Sequence, residues 1–190
     1  MIDINNNTAV VFPGQGSQII GMGADLYEKS SIAKDIFDEV DETLGRKLTD
    51  IVFSGSQEVL NKTENAQPAI TATSLACFSV FKDKFKDFTP SVTAGHSLGE
   101  YTSLSASNAL SISDTIRLVS ERGRLMQIAC DKNPGGMVAI IGMEIDVVEE
   151  VCREAGAYPS NINSSQQVII SGDNDSLAIA VDLAKARGAK

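Results

Sequence analysis

With 190 residues the chain is long enough for a substantial hydrophobic core, either as one large domain or as one domain with a small insert. Hydrophobic residues make up 43% and charged residues 22%, the balance of an ordinary globular protein rather than a disordered one. A formal charge of −9 argues against nucleic acid or an anionic membrane as the main partner, because a net acidic surface attracts neither.

No apolar run approaches the ~20 residues that a bilayer crossing needs. Met1 to Asn7 has neither the basic region nor the long apolar stretch of a signal peptide, so a cytosolic location is expected. Cys77, Cys130 and Cys152 are widely spaced and odd in number, with no C-x-x-C pair and a single histidine in the chain. That pattern argues against a disulfide framework or a metal site and predicts buried, reduced thiols.

Thr8 to Phe12 reads as a buried strand, followed by Pro13-Gly14-Gln15-Gly16-Ser17-Gln18. Glycines on both sides of Gln15 fit either a plain connection or a loop whose backbone approaches another group closely. Ser31 is placed to cap a helix with apolar positions Ala33, Ile36, Phe37, Val40 and Leu44, closed by Gly45. A second helix is expected to begin near Pro68, a residue suited to a first turn, and to run to about Phe85.

The strand Ser91 to Ala94 leads into Gly95-His96-Ser97-Leu98-Gly99-Glu100. The G-x-S-x-G spacing between a strand and a helix is that of a nucleophile elbow, whose cramped turn needs glycine two residues before and after the serine. Ser97 to Glu100 is also an S-x-x-E capping box, in which serine only closes a helix end. The following helix, to about Ser107, carries the small residues Ser103, Ser105, Ala106 and Ser107, which allow close packing.

Ser113 and Asp114 are expected to open a helix from Thr115 to about Ala129. Helical spacing puts Arg117 and Arg124 among polar neighbours, but Arg122 between Leu118, Val119, Leu125 and Met126 on the apolar face. A guanidinium there needs an anion to offset several kcal/mol of desolvation. Its partner is either an internal carboxylate or the carboxylate of a substrate, which the guanidinium fork binds bidentately.

Asn133-Pro134-Gly135-Gly136 reads as a linker. Beyond it the pattern gives a strand at 137–142, a helix capped by Asp146 and Glu149, strands at 160–163 and 167–171 around a Ser164-Ser165 turn, and a last helix capped by Asp173 or Asn174. The order β-α-β-β-α is a ferredoxin-like unit without its final strand, which leaves a sheet edge uncovered. Lys185, Arg187 and Lys190 form either a local basic patch or a charged helix face.

Phe12-Pro13-Gly14-Gln15-Gly16-Ser17-Gln18, Gln67-Pro68-Ala69, Gly95-His96-Ser97-Leu98-Gly99-Glu100 and Arg122-Gly123-x-x-Met126-Gln127 together resemble the malonyl-CoA:acyl carrier protein transacylases of fatty acid synthesis. The resemblance runs from Val10 to the last residue. It implies an α/β fold: an α/β-hydrolase-like core with a parallel sheet, residues 1–132 forming part of it, and an inserted ferredoxin-like α+β subdomain over 133–190. It also implies that Ser97 is the nucleophile, acylated by malonyl-CoA and then attacked by the phosphopantetheine thiol of acyl carrier protein in a ping-pong sequence. The backbone N–H groups of Gln15 and Leu98 would form the oxyanion hole, Arg122 would hold the malonyl carboxylate, and His96 would border the acyl pocket or simply pack beside it. No metal or other cofactor is implied.

The family's general base is a histidine beyond the ferredoxin-like unit, and nothing in this sequence corresponds to it. His96 is unsuited to the role, because neighbours in the elbow point apart and a base must come within about 2.6–3.2 Å of the hydroxyl. The sequence is therefore read as the N-terminal portion of a longer enzyme, or as one completed by a second polypeptide, and as inactive or severely impaired alone. A polyketide-type acyltransferase using another acyl-CoA and a non-catalytic module that captures acyl carrier protein are the alternatives.

Overall fold

The structure is a computed structural model describing residues 8–190. The signal-peptide reading of Met1 to Asn7 lies outside the described residues. The chain divides into two compact units, with the boundary after Gln127.

In the first unit, β1 (Ala9–Phe12) pairs in parallel with β2 (Val92–Gly95), which places Ala9 opposite Val92 and Phe12 opposite Gly95. Five helices connect them: α1 (Ala24–Lys29), α2 (Ser31–Leu44), α3 (Leu48–Ser54), α4 (Gln57–Asn61) and α5 (Thr63–Lys84). After β2 come α6 (Leu98–Ala106) and α7 (Ile112–Lys132). A parallel pair needs a long crossover, and the helices of that crossover supply most of the core. Ala33, Phe37, Val40, Leu48, Leu60, Ala72 and Leu75 pack there with Leu98, Ile116 and Val119.

The apolar spacing of α2 holds: Ala33, Ile36, Phe37 and Val40 are buried, and Gly45 closes the helix at φ 63°. The cap, however, is Ser30 rather than Ser31. Ser30 has the extended backbone a cap requires, and its hydroxyl accepts the Ala33 N–H at 3.4 Å. Similarly, α7 is capped by Ser111 and not by Ser113 or Asp114: the Ser111 hydroxyl accepts the Asp114 N–H at 3.0 Å and donates to the Asp114 carboxylate at 2.7 Å.

Helix α5 begins at Thr63, so Pro68 lies inside it rather than near its start. An internal proline removes the bond to the carbonyl four residues earlier, here that of Glu64. Arg46 Nη2 donates to that oxygen at 3.3 Å, a tertiary partner that offsets the loss.

Strand β1 is not the buried strand its composition predicts. Phe12 is buried edge-on against Phe78 with ring centroids 5.8 Å apart, but Val11 is 69% exposed. An open groove of about 710 Å³ runs beside the strand, lined by Val10, Cys77, Phe78, Phe81 and Phe88 among others. Cys77 and Cys130 are exposed and only Cys152 is buried, contrary to the expectation of three buried thiols; all three are free.

The second unit contains β3 (Gly136–Ile141), α8 (Ile145–Ala155), β4 (Tyr158–Ser164), β5 (Gln167–Gly172) and α9 (Asn174–Ala186). The sheet order is β3-β5-β4 with both pairings antiparallel, so β3 and β4 run parallel on either side of β5. This is the split β-α-β arrangement that the element order predicts. Both helices pack on the sheet through Val148, Val151, Cys152, Leu177 and Ala180 against Ile140, Val168 and Ile170. The hairpin turn falls on Ser165 and Gln166, one residue later than expected, because β4 extends through Ser164. Asp146 and Glu149 do not form the expected cap: Asp146 already lies in the first turn of α8, and the residue at the cap position is Glu144. Arg187 pairs with Glu154 at 2.7 Å and approaches Glu150 at 4.0 Å, joining α9 to α8.

Asp173 caps α9 as expected. Its carboxylate accepts the Ser176 N–H at 2.8 Å and the Ser176 hydroxyl at 2.9 Å, and these bonds hold it below the usual carboxylate range. A depressed folded-state value means that the stabilisation is complete above the unfolded-state value of about 3.9 and is lost as pH falls through the lower, folded one. In urea unfolding, the wild-type chain should therefore exceed Asp173→Ala in stability near pH 6, with the gap shrinking below about pH 4.

Candidate active site

Ser97 stands between the end of β2 and the start of α6, in a conformation that L-residues rarely adopt (φ 53°, ψ −99°). The geometry explains the flanking glycines. A Cβ on Gly95 would lie 1.9 Å from the carbonyl carbon of Gly99, and a Cβ on Gly99 would lie 2.3 Å from the carbonyl oxygen of Phe12. The His96 N–H donates to that same Phe12 oxygen at 3.1 Å, which joins the turn to the end of β1. Ser97 makes no capping bond to α6, so its role in the capping box is ruled out. Ser97 is exposed beside the helix N-terminus, where the helix dipole favours negative charge.

Arg122 lies within reach of this hydroxyl. Its Nη2 donates to Ser97 Oγ at 2.9 Å, its Nη1 donates to Gln67 Oε1 at 2.6 Å, and its guanidinium carbon sits 5.8 Å from the centre of the Tyr101 ring. Among the described residues no carboxylate forms an ion pair with it, so the internal carboxylate considered from sequence is absent there. Arg117 and Arg124 pair instead with Asp114 and Glu121 on the solvated face, as the helical spacing predicts. The face around Arg122 is less buried than expected: Val119 is in the core, but Leu118, Leu125 and Met126 are exposed. A cation 2.9 Å from the hydroxyl oxygen is placed to hold an anion brought to Ser97.

Gln15 sits at the tip of the loop that leaves β1. Gly16 there has φ 109° and donates its N–H to Gln18 Oε1 at 2.9 Å, while Gln18 bonds to Asn61 and accepts from Gln57. The Gln15 side-chain oxygen accepts from the Thr63 hydroxyl at 2.9 Å. The loop also approaches the elbow directly, since a Cβ on Gly14 would lie 2.7 Å from Nδ1 of the exposed His96 ring. Of the residues singled out from sequence, Ser97, Leu98, His96 and Gln15 thus lie on elements brought together by the β1–β2 pairing, and Arg122 reaches Ser97 from α7. Thr63, Gln67 and Tyr101 also reach these residues and carried no role in the sequence reading. Lys185 and Arg187 belong to the second unit, where Arg187 is engaged by α8.

Among the described residues there is no group of three or more His, Cys, Asp or Glu side chains able to hold a metal ion. No helix among them is long and apolar enough to cross a membrane.

A parallel β-α-β core whose second strand ends in a strained, glycine-flanked serine agrees with what a comparison of the sequence with known families shows, a match to the acyl transferase domain family. That family matches residues 9–190, and the chain belongs to it. It is 46% identical to the malonyl CoA-acyl carrier protein transacylase of Bacillus subtilis over 187 residues, covering 96% of this chain and 58% of the relative. The Haemophilus influenzae protein of the same name is 44% identical over 186 residues, covering 96% of this chain and 60% of its own length. Among solved structures, the Coxiella burnetii malonyl CoA-acyl carrier protein transacylase aligns with a TM-score of 0.91 at 37% identity, covering 98% of this chain and 60% of that one. A malonyl-transacylase in complex with a type II PKS acyl-carrier protein aligns with a TM-score of 0.90 at 41% identity and similar coverage. The chain thus spans about three fifths of the length of these relatives.

Because the glycine contacts are with backbone atoms that have no room to move, Gly99→Ala should destabilise the first unit by about 3 kcal/mol or more, at the upper end for overpacking. Gly16→Ala, where a Cβ meets no atom within 4 Å, should cost about 1–3 kcal/mol through its backbone conformation alone. Chemical denaturation of the two variants checks the difference.

Proposed function

We propose that this chain carries the nucleophile, oxyanion loop and carboxylate anchor of a malonyl-CoA:acyl carrier protein transacylase of fatty acid synthesis. The observation that supports this reading best is Arg122, which lies 2.9 Å from the Ser97 hydroxyl with no carboxylate partner among the described residues. Ser97 Oγ attacks the thioester carbonyl of malonyl-CoA, and the backbone N–H groups of Gln15 and Leu98 receive the tetrahedral oxyanion. Coenzyme A leaves as the thiol, and the malonyl group remains as an ester on Ser97 with its free carboxylate on Arg122. The phosphopantetheine thiol of acyl carrier protein then attacks the ester, which releases malonyl-thioester product and restores the hydroxyl. No step calls for a metal or redox cofactor. His96 borders the acyl group from the elbow.

The proton from Ser97 requires a base, and the only histidine in the sequence is His96. In this reading the base is contributed by polypeptide outside these 190 residues. Knocking out the base of a serine hydrolase lowers kcat by on the order of 10⁶. Mass spectrometry of the 190-residue chain with malonyl-CoA should show only slow acylation of Ser97, lost in Ser97→Ala. Rapid stoichiometric acylation would overturn the role given to an outside base.

Arg122 separates this reading from an acyltransferase for uncharged acyl groups. In a polypeptide that includes the base, Arg122→Ala should lower malonyl transfer by ten- to a hundredfold or more, from about 1.5–3 kcal/mol for a charged hydrogen bond, and spare acetyl transfer. Equal loss of both would remove Arg122 from the carboxylate. A non-catalytic carrier-protein module predicts binding of acyl carrier protein with no acylation even when the base is present.

A further inference from the structure

Four side chains link the loop of Gln15 to Arg122: Gln15 Oε1 to Thr63 Oγ1 (2.9 Å), Thr63 Oγ1 to Gln67 Nε2 (2.8 Å), and Gln67 Oε1 to Arg122 Nη1 (2.6 Å). The polarity of the chain is set from one end. A guanidinium only donates, so the Gln67 atom facing Arg122 must be its oxygen. The Gln67 amide nitrogen is then turned toward Thr63 Oγ1 and the weakly accepting Met126 sulfur at 3.2 Å. Once Thr63 Oγ1 accepts from Gln67, its single proton is left for Gln15 Oε1, which fixes that amide as well. Gln67 and Thr63 are both buried, so water cannot readily replace either bond. The first turn of α5 is pressed from behind by α7, where a Cβ on Gly123 would lie 2.7 Å from the Thr63 carbonyl oxygen.

We propose that Thr63 is a positioning residue that couples the carboxylate anchor to the oxyanion loop. Through Gln67 it holds the far end of the amide that Arg122 donates to, and through Gln15 it ties down the loop whose backbone N–H serves the oxyanion. Without the hydroxyl, the buried Gln67 NH₂ loses its acceptor and the amide is held only from the Arg122 side, while Gln15 loses its anchor. This inference rests on the roles given above to Arg122 and Gln15.

The test uses three variants. Thr63→Val removes the hydroxyl at nearly constant volume, Thr63→Ser restores it, and Arg122→Ala is the reference for loss of the anchor. Two quantities are read. In the 190-residue chain, NMR follows hydrogen exchange of the Arg122 guanidinium protons, identified by their absence in Arg122→Ala. In a polypeptide containing the base, the ratio of malonyl to acetyl transfer is measured, with kcat and KM separated. Thr63→Val should speed guanidinium exchange at least tenfold and lower the malonyl-to-acetyl ratio at least tenfold, with part of the loss in kcat because the oxyanion loop is released. Thr63→Ser should restore both. Guanidinium exchange unchanged in Thr63→Val, or a failure of Thr63→Ser to restore it, overturns the positioning role. If Arg122→Ala leaves the acyl ratio unchanged, the carboxylate reading fails by itself, and guanidinium exchange still decides what Thr63 does.

Discussion

The structure of the site depends on one backbone oxygen. The carbonyl of Phe12 accepts the His96 N–H and stands where a side chain on Gly99 would be, so the end of β1, the elbow and the first turn of α6 meet within a few ångströms. The register of the parallel pair, with Phe12 opposite Gly95, brings them there. The loop carrying Gln15 leaves β1 one residue later, so the proximity of that loop to Ser97 follows from strand pairing. A shift of the register by one residue would turn every side chain of the strand to the other face and separate the loop from the serine.

The backbone of Ser97 also decides what the serine can do. A helix cap needs extended dihedral angles so that its side chain can turn back to the second or third N–H of the helix. At φ 53° and ψ −99° that return is not made, and the hydroxyl meets Arg122 instead. Such a conformation costs on the order of 1–3 kcal/mol and persists only when its surroundings enforce it. Here they do: Leu98 is fully buried immediately after it, and Ser103 on the same helix bonds to Thr93 of β2 at 2.8 Å. The small residues of α6 allow this, and Ser103 and Ser105 are both buried.

Features legible in the sequence are those whose physical cause is local. The glycine spacing around Ser97 reflects steric exclusion within five residues, and the burial of α2 follows from its periodicity. The solvated faces of Arg117 and Arg124 are set by neighbours one turn away. The start of α5 was not legible, because the preference of proline for a first turn is overridden by Arg46, eighteen residues from the carbonyl it satisfies. Helices α1, α3 and α4 are five to seven residues long, too short to display a period. Thr63 escaped notice for a similar reason: its partner Gln15 is 48 residues away, and only folding brings them together. The periodicity of α7 predicts a core-facing stripe, yet Leu118 and Leu125 on it face solvent. Periodicity identifies which residues share a face but not what covers it.

The polar partner of Arg122 is neutral, and that choice matters electrostatically. A carboxylate in the place of Gln67 would satisfy the guanidinium more strongly but would cancel its charge. The amide oxygen satisfies one N–H and leaves the net positive charge intact beside Ser97. In a chain of net charge −9 the long-range field repels anions, so any attraction for an anion at this hydroxyl is local. The uncancelled guanidinium and the N-terminus of α6 converge on the same hydroxyl to supply it. Screening in physiological salt acts over about 8 Å, so contacts of 2.6 and 2.9 Å hold their strength while the repulsive field of the distant acidic surface is damped.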